Sequence, residues 1–121
     1  MADINNVELF GRLGSDAEIR TTQSGRDVAS FSLATDTGWY DKDKGEWRKN
    51  LHWHKIVTFQ PGLIGALRDK GKKGVRVIVD GELSYHTWRK DGEATDRTEA
   101  EIIVGSDGGI NFVDRDKADS A

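Results

Sequence analysis

The segment Leu-His-Trp-His-Lys-Ile-Val-Thr-Phe-Gln, residues 51–60, decides the fold of this chain. It is dense in aromatic and β-branched residues and a Pro-Gly pair follows it, which is typical of a β-strand. Because side chains alternate between the two faces of a strand, Trp53, Lys55 and Phe59 share one face. The pattern therefore predicts a strand with two large aromatic rings around a lysine on a single surface.

This aromatic face has two interpretations. Buried aromatic side chains dominate the packing of many strands, so an isolated Trp/Phe pair is more often part of a core. Exposed rings can instead stack on nucleobases, and a lysine between them can contact phosphates. The rest of the chain favours the second interpretation.

The composition limits the class of protein. A chain of 121 residues forms one domain, and 14 glycines against a single proline indicate many tight turns in an all-β protein. The absence of cysteine excludes a disulfide framework, a thiolate metal site and a cysteine nucleophile. The first residues, Met-Ala-Asp-Ile-Asn-Asn, resemble neither a signal peptide nor a membrane anchor, so a cytoplasmic location is expected.

Positive charge is concentrated in the middle of the chain. Residues 42–76 contain ten Lys and Arg against three Asp and Glu, a net charge of +7. The whole chain carries −3, so the remainder carries −10. This asymmetry favours a localised binding site for a polyanion, although lysines in loops can also serve only solubility.

The periodicity predicts three strands, a helix and two or three further strands. The helix is expected at 62–70 and is ended by Gly71, and Gly81 interrupts the longest strand at a bend. This order predicts a small Greek-key barrel. The predicted strands are 7–13, with 17–22 as a short continuation, 28–35 and 51–60 before the helix, and 75–85, 95–104 and a short 110–113 after it.

The polar connection at 36–50 contains three aromatic residues, Trp39, Tyr40 and Trp47. Tryptophans in a lysine-rich loop have no packing explanation, and loops carry function more often than they carry core. One of Trp39 and Trp47 is expected to fold back onto the barrel. Single-stranded bases are the ligands that use such rings.

The order and spacing of these motifs resemble the bacterial single-stranded DNA-binding protein family, which has an OB-fold. The resemblance covers residues 5–113, and its most specific part is Trp-His-Lys-Ile-Val at 53–57 with Phe59. Further matching motifs are Gly-Arg-Leu-Gly at 11–14, Gly-Trp at 38–39, Lys-Gly at 73–74 and Asp-Gly-Glu-Leu at 80–83. It implies a five-stranded Greek-key OB-fold barrel at 1–113, with one short helix and long protruding hairpin loops.

The resemblance also implies a function and a set of site residues. Members of the family bind single-stranded DNA with little sequence preference during replication, recombination and repair, without catalysis or a cofactor. They form a homotetramer, with a homodimer as the alternative, and His54 matches a position near a subunit interface. The residues expected to contact DNA are Trp39, Arg48, Lys49, Trp53, Lys55, Phe59, Lys73, Trp88 and Arg89.

Two departures from the family pattern modify these expectations. Ser-Tyr-His-Thr at 84–87 replaces residues that are usually basic, which either weakens phosphate contacts or shifts them to Arg89 and Lys90. The polar end at 114–121, expected to be disordered, has neither the linker nor the apolar-tipped acidic tail of many members. Tail-mediated recruitment of replication and repair enzymes is therefore not expected, and an accessory version or a truncated chain would fit this ending.

Two other functions compete with this interpretation. An OB-fold accessory module of the replication-restart or RNA-binding type would share the barrel and the basic aromatic surface. A metalloenzyme could use His52 and His54, which share the other face of the strand, but no motif supplies a third ligand. No catalytic arrangement of Ser, His and acidic residues stands out, so neither a catalytic nor a metal site is predicted.

Overall fold

The computed structural model describes residues 2–113, so the predicted polar end at 114–121 lies outside the described residues. Strands β1 to β9 and one helix, α1, follow the predicted order. They are β1 (Val7–Leu13), β2 (Glu18–Thr21), β3 (Asp27–Asp36), β4 (Trp39–Asp41), β5 (Glu46–Arg48), β6 (Leu51–Thr58), α1 (Pro61–Lys70), β7 (Arg76–Trp88), β8 (Arg97–Val104) and β9 (Gly109–Phe112).

Five strands pair in a closed circuit. β1 pairs with β3, β3 with β6, β6 with β8, β8 with β7, and β7 returns to β1. The β6–β8 pairing is parallel and the other four are antiparallel, while β2 and β9 extend the sheet beside β3 and β7. The prediction of a mostly β chain with one helix is confirmed, and the circuit removes the open edges that a flat sheet would expose.

The core lies inside this circuit. Alternate residues of each strand point inward and are almost fully buried, as the two-residue period predicts. On β6 the inward residues Ile56 and Thr58 are completely buried, and the Thr58 hydroxyl donates a 2.8 Å hydrogen bond to the Val104 carbonyl on β8. The helix adds Ile64 and Leu67 to the same core. The outward face of β6 therefore stays available for function.

Helix α1 ends where predicted, but for a different reason. Gly71 has a φ of −77°, outside the left-handed region that favours glycine at helix ends. Its N–H donates to the Leu67 carbonyl at 2.8 Å. A Cβ atom at this position would lie 2.9 Å from the Cβ of Ala17, so glycine is needed here for close packing.

Strand β7 changes partners at Gly81. Residues up to Gly81 pair with β1, and residues from Glu82 onward pair with β8 in a protruding hairpin. The two-residue alternation along 75–85 predicts that Leu83 and Tyr85 share one face with Val77 and Val79. The two valines are completely buried, whereas Leu83 and Tyr85 are 38% and 64% exposed.

Strands β4 and β5 form a separate two-stranded hairpin. Neither tryptophan folds back onto the barrel as expected, since Trp39 is 54% and Trp47 is 77% exposed. Trp47 instead packs beside Tyr40, with ring centroids 5.4 Å apart. The two strands of the hairpin pair with each other, and the Asp36 carboxylate on β3 accepts the N–H groups of Gly38 and Asn50 at its base. Across residues 2–113, no helix has the length and apolar character needed to cross a membrane.

Candidate nucleic-acid interface

One row of side chains crosses four strands on the outer face of the barrel. Arg76 on β7 lies opposite Arg12 on β1, Arg12 opposite Ala34 on β3, and Ala34 opposite Trp53 on β6. Directly opposed residues in a sheet have neighbouring side chains on one face. The small Ala34 therefore lies between Trp53 on one side and the two arginines on the other.

Trp53 is held at the surface by the backbone beneath it. Its side chain is 62% exposed, although a tryptophan usually buries most of its area. The edge of the indole lies over Gly14, where an added Cβ atom would be 2.2 Å from the ring. Glycine at this position leaves the room for the indole, and the ring remains accessible to a ligand.

Four cations surround this tryptophan in a depression that we term the basic groove. Among residues 2–113, its charged lining consists of Arg12, Lys49, Lys73 and Arg76, with Asp36 as the single carboxylate. None of the four cations forms a salt bridge with another residue between positions 2 and 113. Opposed like charges such as Arg12 and Arg76 are unfavourable unless an anion lies between them. The basic groove thus combines an exposed aromatic ring with unpaired positive charge.

The one carboxylate in the basic groove is already engaged. Asp36 Oδ1 accepts hydrogen bonds from the backbone N–H groups of Asn50 and Gly38, both at 3.0 Å. The Asn50 hydrogen bond is the main cause that lowers the pKa of the Asp36 carboxyl, and Lys49 and Arg12 lower it further. Asp36 therefore stays ionised at neutral pH, and its hydrogen bonds hold the base of the β4–β5 hairpin.

Lys55 lies in a different depression, which we term the acidic groove. Its lining contains four carboxylates, from Asp16, Glu18, Glu99 and Glu101, against the two cations Arg20 and Lys55. The Lys55 Nζ atom is 4.0 Å from the Glu101 carboxylate. Lys55 shares a face of β6 with Trp53, as predicted, but its charge is offset by its neighbours.

Replacing Glu101 by glutamine is expected to strengthen binding of single-stranded DNA at low salt by roughly 1.5- to 5-fold. The change frees Lys55 from its partner and removes a negative charge beside the outer face of β6. The measurement is a fluorescence titration with poly(dT). Asp69→Asn, an equal change in net charge on the exposed surface of α1, is expected to have a smaller effect. Equal gains in affinity from both variants would mean that the effect comes from the overall charge of the protein and not from Lys55.

Phe59 lies in a third depression, just beyond the end of β6. The guanidinium of Arg26 is 4.4 Å from the centroid of its ring, and Arg68 lines the same depression. This cation–π contact covers one face of the ring. The predicted trio of Trp53, Lys55 and Phe59 is therefore distributed over three separate depressions.

The predicted residues of the β7–β8 hairpin form a further surface. Trp88 is exposed and stacks on His86, with ring centroids 5.7 Å apart and an interplanar angle of 18°. Arg89 donates to the Asp96 carboxylate at 2.9 Å. Exposed ion pairs of this kind are weak, at about 0–1 kcal/mol, so a phosphate can displace the carboxylate at little cost.

On the β4–β5 hairpin, Trp39 lies opposite Arg48. Arg48 contacts two carboxylates, Asp41 at 3.3 Å and Glu46 at 3.5 Å. The structure therefore brings Trp53, Lys49 and Lys73 together in the basic groove, and it places Trp39, Arg48, Lys55, Phe59, Trp88 and Arg89 elsewhere on the surface.

Arg12 and Arg76 were not among the predicted contact residues. The alternation within β1 places Arg12 on the outer face, which is a signal that the sequence contains. The register of three strand pairings places Arg12 opposite Arg76 and in one row with Trp53. No local pattern reveals that register.

His54 lies on the inner side of β6, near the end of the barrel. Its Nε2 atom is 2.9 Å from the Thr35 hydroxyl. Burial is the main cause that lowers the pKa of His54, and the charge of His52 lowers it further. Among the described residues, no group of three or more His, Cys, Asp and Glu side chains is arranged to hold a metal ion.

The lowered pKa of His54 makes stability depend on pH. Between the folded pKa and the ordinary value of 6.5, the unfolded chain binds more protons than the folded chain. The free energy of unfolding is therefore expected to fall as pH drops from 6.5 through the folded pKa of His54. Urea unfolding at about pH 7.5 and pH 5 measures the loss. Over this pH change, the His54→Gln variant is expected to lose less stability than the wild type. The control His86→Gln is expected to lose the same amount as the wild type. Equal losses in all three proteins would contradict the prediction.

A closed Greek-key barrel of five strands, with a helix after the third barrel strand, defines the class of OB-fold proteins. Within that class, the model of the single-strand binding protein family matches residues 4–108. The chain therefore belongs to the single-strand binding protein family.

Two relatives support this assignment. A single-stranded DNA-binding protein of Rhizobium meliloti (strain 1021) is 37% identical over 101 residues, which cover 84% of this chain and 58% of the relative. The chain thus spans somewhat more than half of the length of that protein. The structure of a Plasmodium falciparum SSB complex with ssDNA superposes with a TM-score of 0.80 at 30% identity, and the match covers 94% of this chain and 98% of the other.

Proposed function

We propose that this chain binds single-stranded DNA with little sequence preference. The observation that carries the proposal is the basic groove, in which the exposed Trp53 ring lies among Arg12, Lys49, Lys73 and Arg76. Aromatic rings stack on any base, and cations beside them contact the phosphates. The single-stranded DNA in the complex of the Plasmodium falciparum protein supports the same ligand.

The proposed mechanism combines stacking with the release of counterions. Trp53 stacks on a base, while Arg12 and Arg76, opposed across β1 and β7, bind the sugar-phosphate backbone between them. A phosphate relieves the repulsion between the two guanidinium groups. Each neutralised phosphate contributes about −0.7 to the slope of log affinity against log salt for a single strand.

The test is tryptophan fluorescence during titration with poly(dT) at several salt concentrations. We expect strong, saturable quenching that weakens as salt increases. The double variant Arg12→Ala, Arg76→Ala is expected to reduce the salt slope by about 1 to 1.5, the contribution of two phosphates. Arg20→Ala, Lys70→Ala is the matched control, since it removes the same number of charges outside the basic groove: Arg20 lies in the acidic groove beside Glu18, and Lys70 is exposed in the last turn of α1.

Two results would contradict the proposal. Absence of quenching at low salt would mean that no strand binds near the tryptophans. A salt slope that falls equally in the control and in the Arg12→Ala, Arg76→Ala variant would mean that the basic groove has no special part. Competition between DNA and RNA strands of equal length distinguishes a DNA-binding protein from an RNA-binding OB-fold module.

We further propose that the protein acts by binding rather than by catalysis, and that it protects single strands in the cytoplasm, at the nucleoid, during replication, recombination and repair. The other predicted contact residues are proposed to contact the strand where it continues outside the basic groove. They are Trp39, Arg48, Lys55, Phe59, Trp88 and Arg89.

A homotetramer is the proposed assembly, with a homodimer as the alternative, and His54 is proposed to lie near a subunit interface. Exposed apolar side chains support self-association, since Leu83 and Tyr85 lie two residues apart on the protruding hairpin and are 38% and 64% exposed. Contiguous exposed apolar residues are typical of protein–protein contacts. The mass of the assembly in solution, measured by light scattering, distinguishes a monomer from a dimer and a tetramer.

A further inference from the structure

The β4–β5 hairpin carries a pair of exposed aromatic rings outside the basic groove. Tyr40 and Trp47 lie directly opposite each other and are 48% and 77% exposed. Their ring centroids are 5.4 Å apart and their planes are inclined by 43°. Because neighbouring residues alternate, they occupy the face of the hairpin opposite to Trp39.

The aromatic pair lies close along the chain to residues of the basic groove. Leu51 and Lys49 precede Trp53 at two-residue intervals, and both line the basic groove with it. Trp47, on β5, is two residues before Lys49, and residues 49–50 join β5 to β6. At about 3.3 Å per residue, a fully extended chain would separate Trp47 from Trp53 by at most about 20 Å. A strand bound at Trp53 therefore has the aromatic pair within reach past Leu51 and Lys49.

The charges of the hairpin favour a polyanion on this face. Asp41 and Glu46 oppose each other on the Trp39 face, where both contact Arg48. The strands carry no carboxylate on the face of Tyr40 and Trp47. Lys49, which lines the basic groove, follows Trp47 by two residues.

The hairpin is held in shape at both ends. At its base, the Asp36 carboxylate accepts the N–H groups of Gly38 and Asn50 at 3.0 Å. At its tip, the Asp41 carboxylate accepts the N–H groups of Asp43 at 3.0 Å and Lys44 at 3.3 Å. A fixed scaffold presents the rings with little ordering cost on binding.

We propose that Tyr40 and Trp47 form a second base-stacking site, reached by a single strand that runs from Trp53 along Leu51 and Lys49. The inference rests on the proposed function and deepens it, because it lengthens the strand that each protomer binds. A separation of at most about 20 Å spans at most about six nucleotides at the roughly 3.4 Å spacing of a stacked strand.

The test compares oligonucleotides of about five and about sixteen thymidines, lengths near the two ends of the range that one OB-fold binds. Trp47→Ala is expected to weaken binding of the long strand by roughly 5- to 100-fold, the loss of one stacked base, and to change binding of the short strand by less than about twofold. Tyr40→Ala is expected to act in the same direction. Trp47→Phe keeps an aromatic ring and is expected to restore most of the affinity.

The outcomes separate this inference from the proposed function. Failure of the wild type to bind either strand overturns both. Wild-type binding of both strands with unchanged affinity in Trp47→Ala overturns only the second stacking site. If Trp47→Ala forms a smaller assembly than the wild type, without a length-dependent loss of affinity, the aromatic pair belongs to a protein–protein contact. That result also overturns the second stacking site. Circular dichroism of each variant confirms that the barrel is folded.

Discussion

Trp53→Ala is expected to weaken binding of single-stranded DNA by about 1–3 kcal/mol, or roughly 5- to 150-fold, while the barrel stays folded. The indole offers an exposed face beside the four unpaired cations of the basic groove. Its removal leaves those cations in place, so electrostatic binding persists and the salt slope is expected to change little. The measurement is the dissociation constant for a thymidine oligonucleotide at two salt concentrations.

Two controls make this result specific to stacking. Trp53→Phe retains a ring over Gly14 and is expected to recover most of the affinity. The free energy of unfolding of Trp53→Ala is expected to stay within about 0.5 kcal/mol of the wild type, because the side chain is largely exposed. Unchanged affinity in a folded Trp53→Ala protein would remove this residue from the site.

Gly11→Ala is expected to destabilise the barrel by about 3 kcal/mol. A Cβ atom at Gly11 would lie 2.1 Å from the carbonyl oxygen of Ala34, which belongs to the backbone of β3. Backbone atoms cannot rotate away as the end of a side chain can, so β1 and β3 must separate. Chemical denaturation with urea, followed by circular dichroism, measures the change.

Gly65→Ala is the matched control, since it adds the same methyl group within helix α1. Nothing lies within 4 Å of a Cβ atom at this position. Alanine is favoured over glycine in helices by about 1 kcal/mol, so this variant is expected to be more stable than the wild type. A Gly11→Ala protein as stable as the wild type would show that β1 and β3 are less closely joined than their pairing implies.

The sequence predicts the parts of this fold that depend on local pattern. Alternation along residues 51–60 correctly assigns the outward face of Trp53 and the inward face of Ile56. The apolar spacing before Gly71 correctly predicts the helix. These features follow from the periods of single elements, which local residues determine.

The grouping of the site residues depends on pairing between distant strands. Lys55 and Trp53 are two residues apart on one face, yet the acids of β8 beside Lys55 separate it from the basic groove. Arg12 joins Trp53 through the register of β1, β3 and β6. Alternation along β7 puts Tyr85 on the same face as the buried Val79, yet Tyr85 is exposed, because the β7–β8 hairpin continues past the buried core. Such contacts arise only when the circuit closes.

The parallel pairing of β6 with β8 has a consequence for synthesis on the ribosome. Ile56 meets Ile102 and Thr58 meets Val104, so the barrel cannot close before Val104 has left the exit tunnel. Until then β6 presents an unpaired edge rich in β-branched and aromatic residues, which is a template for aggregation. Long separations between paired residues also slow folding. The nascent chain therefore passes through a vulnerable interval that ends only when nearly the whole domain has been translated.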